Sequence, residues 1–115
     1  MTTETKRHGE FLAFEVAIRT IEAMTEVVAL VRRRDVDLAR QMVRAASSVA
    51  ANVAEGNRRV GKDRLHLFRV AAGSADEVRA HLRVAQAWGY VNAGQTDAAM
   101  KLVDRELRLL SGLTR

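Results

Sequence analysis

Six polar residues stand among alanines and aliphatics between positions 41 and 90: Arg44, Ser48, Asn52, Glu55, Ser74 and Glu77. Arg44, Ser48 and Asn52 step by four, so on a helix they share one face. Such a row could hold a hydrogen-bond network or a polar ligand, but it lacks the partners that catalysis needs. Ser47, Ser48, Ser74 and Ser111 have no histidine base and orienting carboxylate placed to activate a hydroxyl. His8 lies in a polar amino-terminal stretch expected to be loose. His66 and His81 are fifteen residues apart, too far along one helix to share a metal. Glu77 and His81 have i, i+4 spacing rather than the Glu-x-x-His spacing of bundle di-metal sites. Gly56 and Gly61 bracket a loop that is neither a phosphate-binding loop nor a dinucleotide fingerprint. The chain therefore reads as non-enzymatic, with no metal, no cofactor and no small-molecule substrate expected. The polar set is assigned a structural role, with Glu77 expected to meet Arg44 across a helix interface. A pair of that kind sets register more than stability.

The second chemistry on offer is positive charge. Nineteen Lys and Arg against fourteen Asp and Glu give a net +5, and most of the cations are arginine. Arg58, Arg59, Lys62 and Arg64 crowd one short connector. Arg32, Arg33 and Arg34, with Arg40 nearby, form a second group. Groups like these can hold phosphates, and all eight residues are candidates for nucleic-acid contact. A solvated arginine-rich surface is the plain alternative. Beyond three phenylalanines the aromatics are only Trp88 and Tyr90, so no base-stacking platform is expected. Contact should then be made to the backbone, be salt-sensitive and select weakly for sequence.

Positioning these residues requires helices. The chain has 115 residues, no proline, no cysteine and few strand formers, which points to an all-α domain able to bury a core without disulfides. The absence of cysteine suits a reducing compartment. The start MTTETKRHGE has no apolar core and is not expected to act as a signal peptide. No apolar run approaches the roughly 20 residues of a membrane span. A cytoplasmic location and no membrane partner are expected.

Hydrophobic spacing predicts helices over about 10–33, 37–55, 62–88 and 96–111, in one domain covering 1–115. The first carries the stripe Phe11, Phe14, Ile18, Ile21, Thr25, Val28 and Val31. The second carries Leu38, Met42, Ala45, Val49 and Val53, with Asp35 or Asp37 as its N-cap and Gly56 as a left-handed C-cap. The third carries Leu65, Phe68, Ala72, Ala75, Val78, Leu82 and Ala85, and ends at Gly89. The fourth is expected to be capped by Thr96 or Asp97, with Ala99, Val103, Leu107 and Leu110 inward. Short connections favour an antiparallel up-down-up-down four-helix bundle, with the two arginine groups at opposite poles. Alanines at 45, 46, 50, 51 and 54, facing Ala71, Ala72, Gly73 and Ala75, allow the middle helices to approach closely. That contact should offset the roughly 1 kcal/mol that a mid-helix glycine such as Gly73 costs.

One run carries a resemblance: Gln41-x-x-Arg44-Ala45-Ala46-x-Ser48-Val49-x-x-Asn52-Val53-Ala54-Glu55-Gly56, then Ala72-Gly73-Ser74-x-x-Glu77 and Trp88-Gly89-Tyr90. It resembles the four helix bundle protein family. That family includes proteins encoded in intervening sequences of bacterial 23S ribosomal RNA genes, and the accessory variability protein of diversity-generating retroelements. Val49 and Val53 stand where isoleucine is commoner, and Gly61 where a serine or threonine cap is usual. The resemblance implies an up-down bundle assembling as a ring, a homopentamer. In the retroelement branch it implies contact with nucleic acid and a reverse transcriptase.

Assembly needs a surface. Leu12, Ala17, Met24 and Val27 on the first helix, and Met100, Leu102 and Leu109 on the fourth, lie outside the strict stripes. With Trp88 and Tyr90 they are the predicted subunit interface. The leading reading is an oligomeric bundle contacting RNA, or an RNA-bound protein, through arginine-rich junctions. A protein-interaction scaffold and a reverse-transcriptase accessory are the alternatives.

Overall fold

The computed structural model describes residues 3–115, with side chains from His8 onward. Four helices follow one another: α1 (Thr3–Arg32), α2 (Val36–Asn57), α3 (Gly61–Ala87) and α4 (Ala93–Leu113). No strand occurs among the described residues. Helix α2 packs on α1 and α3, and α4 packs on α3 and α1. Consecutive helices that lie side by side on short connections must run antiparallel. The result is an up-down-up-down bundle 45 Å long and 22 by 18 Å across.

Local chemistry explains most of the boundaries. Asp35 caps α2, its Oδ1 accepting from the Leu38 N–H at 3.0 Å. Gly89 ends α3 with a left-handed φ of 76°. The Gly89 N–H donates to the Gln86 carbonyl and the Tyr90 N–H to the Ala85 carbonyl, which closes a Schellman motif. Helix α4 begins earlier than expected, at Ala93. Its cap is Asn92, in a reciprocal capping box with Gln95, and not Thr96 or Asp97. Thr96 is buried and accepts from the Gln86 side chain. Val60 precedes α3 without a side-chain cap, and Gly61 enters at φ 64°. Helix α1 reaches back to Thr3, so His8 is helical rather than loose.

The core keeps the second stripe whole, keeps the third and fourth except for the half-buried Leu65, Ala72 and Leu107, and rotates the first. Leu38, Met42, Ala45, Val49 and Val53 of α2 are buried, as are Phe68, Ala75, Val78, Leu82 and Ala85 of α3. On α4 the inward row is Thr96, Ala99, Val103, Glu106 and Leu110, with Leu107 only half-buried. On α1 the buried row is Ala13, Val16, Ala17, Thr20, Met24, Val27, Val28 and Val31. Phe11 is 61% exposed and Thr25 is exposed, while Phe14, Ile18 and Ile21 are half-buried. Small residues decide this rotation. Ala13 and Ala17 bring the backbone of α1 against its neighbours and push the bulkier phenylalanines to the rim.

The alanine seam between α2 and α3 is present: Ala45, Ala46, Ala71 and Ala75 are buried within it. Its glycine is not the expected one. Gly73 is exposed, and a β-carbon there would meet nothing within 4 Å. Gly56 instead sits inside α2, not at a left-handed cap, with Arg58 ending the helix in right-handed geometry. A β-carbon on Gly56 would collide with the Phe68 ring.

Candidate nucleic-acid interface

The connector between α2 and α3 makes one pole. Arg58, Arg59 and Lys62 are exposed there. Arg59 approaches Glu55 at 3.7 Å across an exposed i, i+4 pair, a weak attachment in water. Among the described residues, Arg58 and Lys62 have no carboxylate within ion-pair distance. Arg64 behaves differently. Its guanidinium pairs with Glu10, donates to the Gly56 carbonyl at 3.1 Å and lies 4.6 Å from the Phe68 ring centroid. That side chain ties α1, α2 and α3 together and leaves the group of cations available to a ligand.

The opposite pole combines the α1–α2 and α3–α4 junctions. Arg32, Arg33 and Arg34 are exposed, and Arg40 reaches Asp37 only at 3.9 Å. Asp35 bridges the two junctions, since its second carboxylate oxygen accepts from the Tyr90 hydroxyl at 3.3 Å. Arg34 lies 5.4 Å from the Tyr90 ring centroid. Trp88 stacks beside Tyr90, with centroids 6.4 Å apart and planes 17° from parallel. Desolvation, then the charge and hydrogen bond of Asp35, raises the Tyr90 pKa above its usual 10.0, with Arg34 opposing. Two stacked aromatics, one of them beside Arg34, therefore stand at this pole, an arrangement that composition did not suggest. Its signal in the sequence was Trp88-Gly89-Tyr90, where a glycine turn lets two aromatics fold onto one side.

The polar signature divides. Ser48 and Ser74 join α2 to α3 through a hydroxyl pair at 2.8 Å, and Asn52 donates to the Ser48 hydroxyl at 3.1 Å and its carbonyl at 2.9 Å. This is the expected structural role. Arg44 and Glu77 do not share it: both are exposed, and no ion pair joins them. Besides Arg64, charge links α3 to a neighbour through Arg79, which bonds Asp104 of α4 at 2.9 Å and Asp76 of its own helix at 3.0 Å. Glu55 stays at the surface facing Arg59.

One buried carboxyl escaped the sequence reading. Glu106 is 2% exposed and neither carboxyl oxygen has a hydrogen-bond partner among the described residues. It lines a small cavity with Thr20, Ala46, Val78 and Val103. Thr20 commits its own hydroxyl to the Val16 carbonyl at 2.7 Å. Desolvation pushes the Glu106 pKa to about 8, with Arg105 opposing. Its position was legible, one turn from Val103 and Leu110 on the inward row.

Among the described residues no group of three His, Cys, Asp or Glu is placed to hold a metal. No described helix is long and apolar enough to cross a membrane. The predicted assembly residues also divide. Ala17, Met24 and Val27 are core, Leu12, Met100, Leu102 and Leu109 are half-buried, and Trp88 is exposed. Phe11, Val36, Val43, Val60, Val70 and Val84 are also exposed, and Val43 lines a groove of about 240 Å³ between α1 and α2 that includes Ile21 and Thr25.

The family model described as "23S rRNA-intervening sequence protein" matches residues 11–112. A crystal structure from Bacteroides thetaiotaomicron VPI-5482, of a protein with unknown function from the S23 ribosomal protein family, superposes with a TM-score of 0.76. That similarity covers 93% of this chain and 98% of the other at 16% identity, so it shows the fold alone. No curated protein matches the sequence.

Proposed function

This chain belongs to the 23S rRNA-intervening sequence protein family, and on that footing we propose a non-enzymatic protein that assembles with copies of itself and contacts RNA, or an RNA-bound protein, through its arginine-rich poles. The observation that carries the reading is the state of the cations. Arg32, Arg33, Arg58 and Lys62 are exposed, and none has a carboxylate partner among the described residues. Cations without internal partners are free to replace the counterions of a phosphate backbone. Within one protomer the two groups lie at opposite ends of a 45 Å bundle. Cyclic assembly would repeat each group around an axis and merge it into a ring of positive potential.

Support for self-assembly comes from the exposed Val43 and the groove between α1 and α2 that it lines, an apolar surface that a partner would cover. The homopentamer rests on the family resemblance, as does a reverse transcriptase partner. A reverse transcriptase gene beside this one would favour the latter.

The test is RNA binding followed by anisotropy from about 50 to 200 mM salt. Affinity should fall steeply with salt, and the slope should flatten in an Arg58→Ala/Arg59→Ala double variant. Absence of binding at low salt would eliminate RNA contact and leave a protein-interaction scaffold. Sedimentation showing only a 12.7 kDa species would remove the ring.

A further inference from the structure

We propose that Trp88, Tyr90 and Arg34 form a stacking site for an unpaired base, so that this pole prefers single-stranded RNA over duplex. The inference deepens the RNA reading above and rests on it.

Trp88 is 67% exposed at the end of α3, a large apolar ring that the core does not use. Its neighbour is held at several points. The Tyr90 backbone is fixed by the Schellman motif through Ala85, its hydroxyl by Asp35, and its ring lies beside Arg34. Trp88 stacks on this anchored ring at 17°, so its orientation is set before any ligand arrives. Pre-ordering of that kind lowers the entropy lost on binding.

The surrounding charge fits a nucleic-acid strand. Arg32, Arg33, Arg34 and Arg40 face two carboxylates, Asp35 and Asp37, which leaves a surplus of two positive charges. Asp35 is occupied by the Leu38 N–H and the Tyr90 hydroxyl, and Asp37 stands nearest Arg40. A strand could place phosphates on Arg32 and Arg33 while one base lies on the Trp88 face. A duplex hides every base face within its own stack except those of its two terminal pairs, and so offers the ring almost nothing. Because every base has a π-face, the site should tolerate any sequence.

Trp88 is the single tryptophan, so intrinsic emission reports on this site alone. The full chain is titrated with labelled oligouridylate and oligoadenylate of about ten nucleotides, and with a long RNA duplex in which terminal pairs are a negligible fraction. Both Trp88 emission and RNA anisotropy are followed. Single strands should quench Trp88. Trp88→Ala should weaken their binding about five- to a hundred-fold, Trp88→Phe should retain most of it, and duplex binding should be unchanged by either. Circular dichroism checks that both variants keep their helices. RNA binding with unchanged emission and an unaffected Trp88→Ala variant overturns the stacking site while the RNA reading stands. Failure of every RNA to bind the unaltered protein overturns the RNA reading itself. Trp88 emission that shifts with protein concentration in the absence of RNA also overturns the site, assigning the ring to a contact between copies.

Discussion

Gly56 lies so close to Phe68 that a β-carbon built on it would fall 2.5 Å from Cε1 and 2.7 Å from Cδ1 of the ring. Phe68 is fully buried, and Arg64 lies beside its ring while bonding the Gly56 carbonyl. The ring therefore has little room to retreat. This contact, rather than the alanine run alone, fixes how closely α2 and α3 approach at the connector.

Two glycine substitutions should consequently act in opposite directions. Gly56→Ala overpacks the seam and should cost about 1–3 kcal/mol. Gly73→Ala, in an exposed helical site with open space, should gain about 0.5–1 kcal/mol by stiffening the unfolded chain and favouring helix. Urea midpoints of the two variants measure both. Equal shifts of the same sign would contradict this assignment.

Glu106 should make stability fall as pH rises. Its pKa is about 8 in the folded protein against an ordinary 4.5. Below 4.5 both states carry the proton, and its contribution is fully favourable. Between 4.5 and 8 the unfolded chain loses the proton while the folded chain keeps it, so stability drops, reaching its floor above 8. The span is on the order of several kcal/mol. Glu106→Gln should flatten this part of the profile and raise the melting temperature at pH 8 relative to the unaltered protein. A profile identical to that of the unaltered chain would refute the buried-acid account.

Arg64 and Arg59 are close in sequence but should differ in consequence. Arg64→Ala removes a half-buried pair with Glu10 and a bond to the Gly56 carbonyl, and should cost about 2 kcal/mol. Arg59→Ala disturbs an exposed 3.7 Å pair and should stay within about 0.5 kcal/mol. Thermal unfolding distinguishes them, and comparable losses would dissolve the separation between the strut and the free cations.

Ser74→Ala should cost about 1 kcal/mol by removing the Ser48 hydroxyl's partner on α3. A double-mutant cycle with Ser48→Ala should return a coupling of similar size. Zero coupling would mean that the two hydroxyls contribute independently.

What could be read from the residues alone was whatever depends on near neighbours in the chain. The lack of proline, the aspartate at 35, the glycine at 89 and the periodic rows of α2 and α3 specify where helices form and how two of their ends close. The spacing of Ser48, Asn52 and Ser74 pointed to a helix seam and to the family, and both hold. The facing of α1 could not be read this way. Ala13, Ala17, Thr20, Met24 and Val27 step by three and four just as Phe11, Phe14, Ile18 and Ile21 do. Only the packed neighbours choose between the two rows. For the same reason the sequence could not distinguish Gly56 from Gly73, withdraw Arg64 from the surface cations, or bring Arg34 beside Tyr90. Each outcome depends on a contact between residues from different helices or junctions, and such contacts exist only once the bundle has closed.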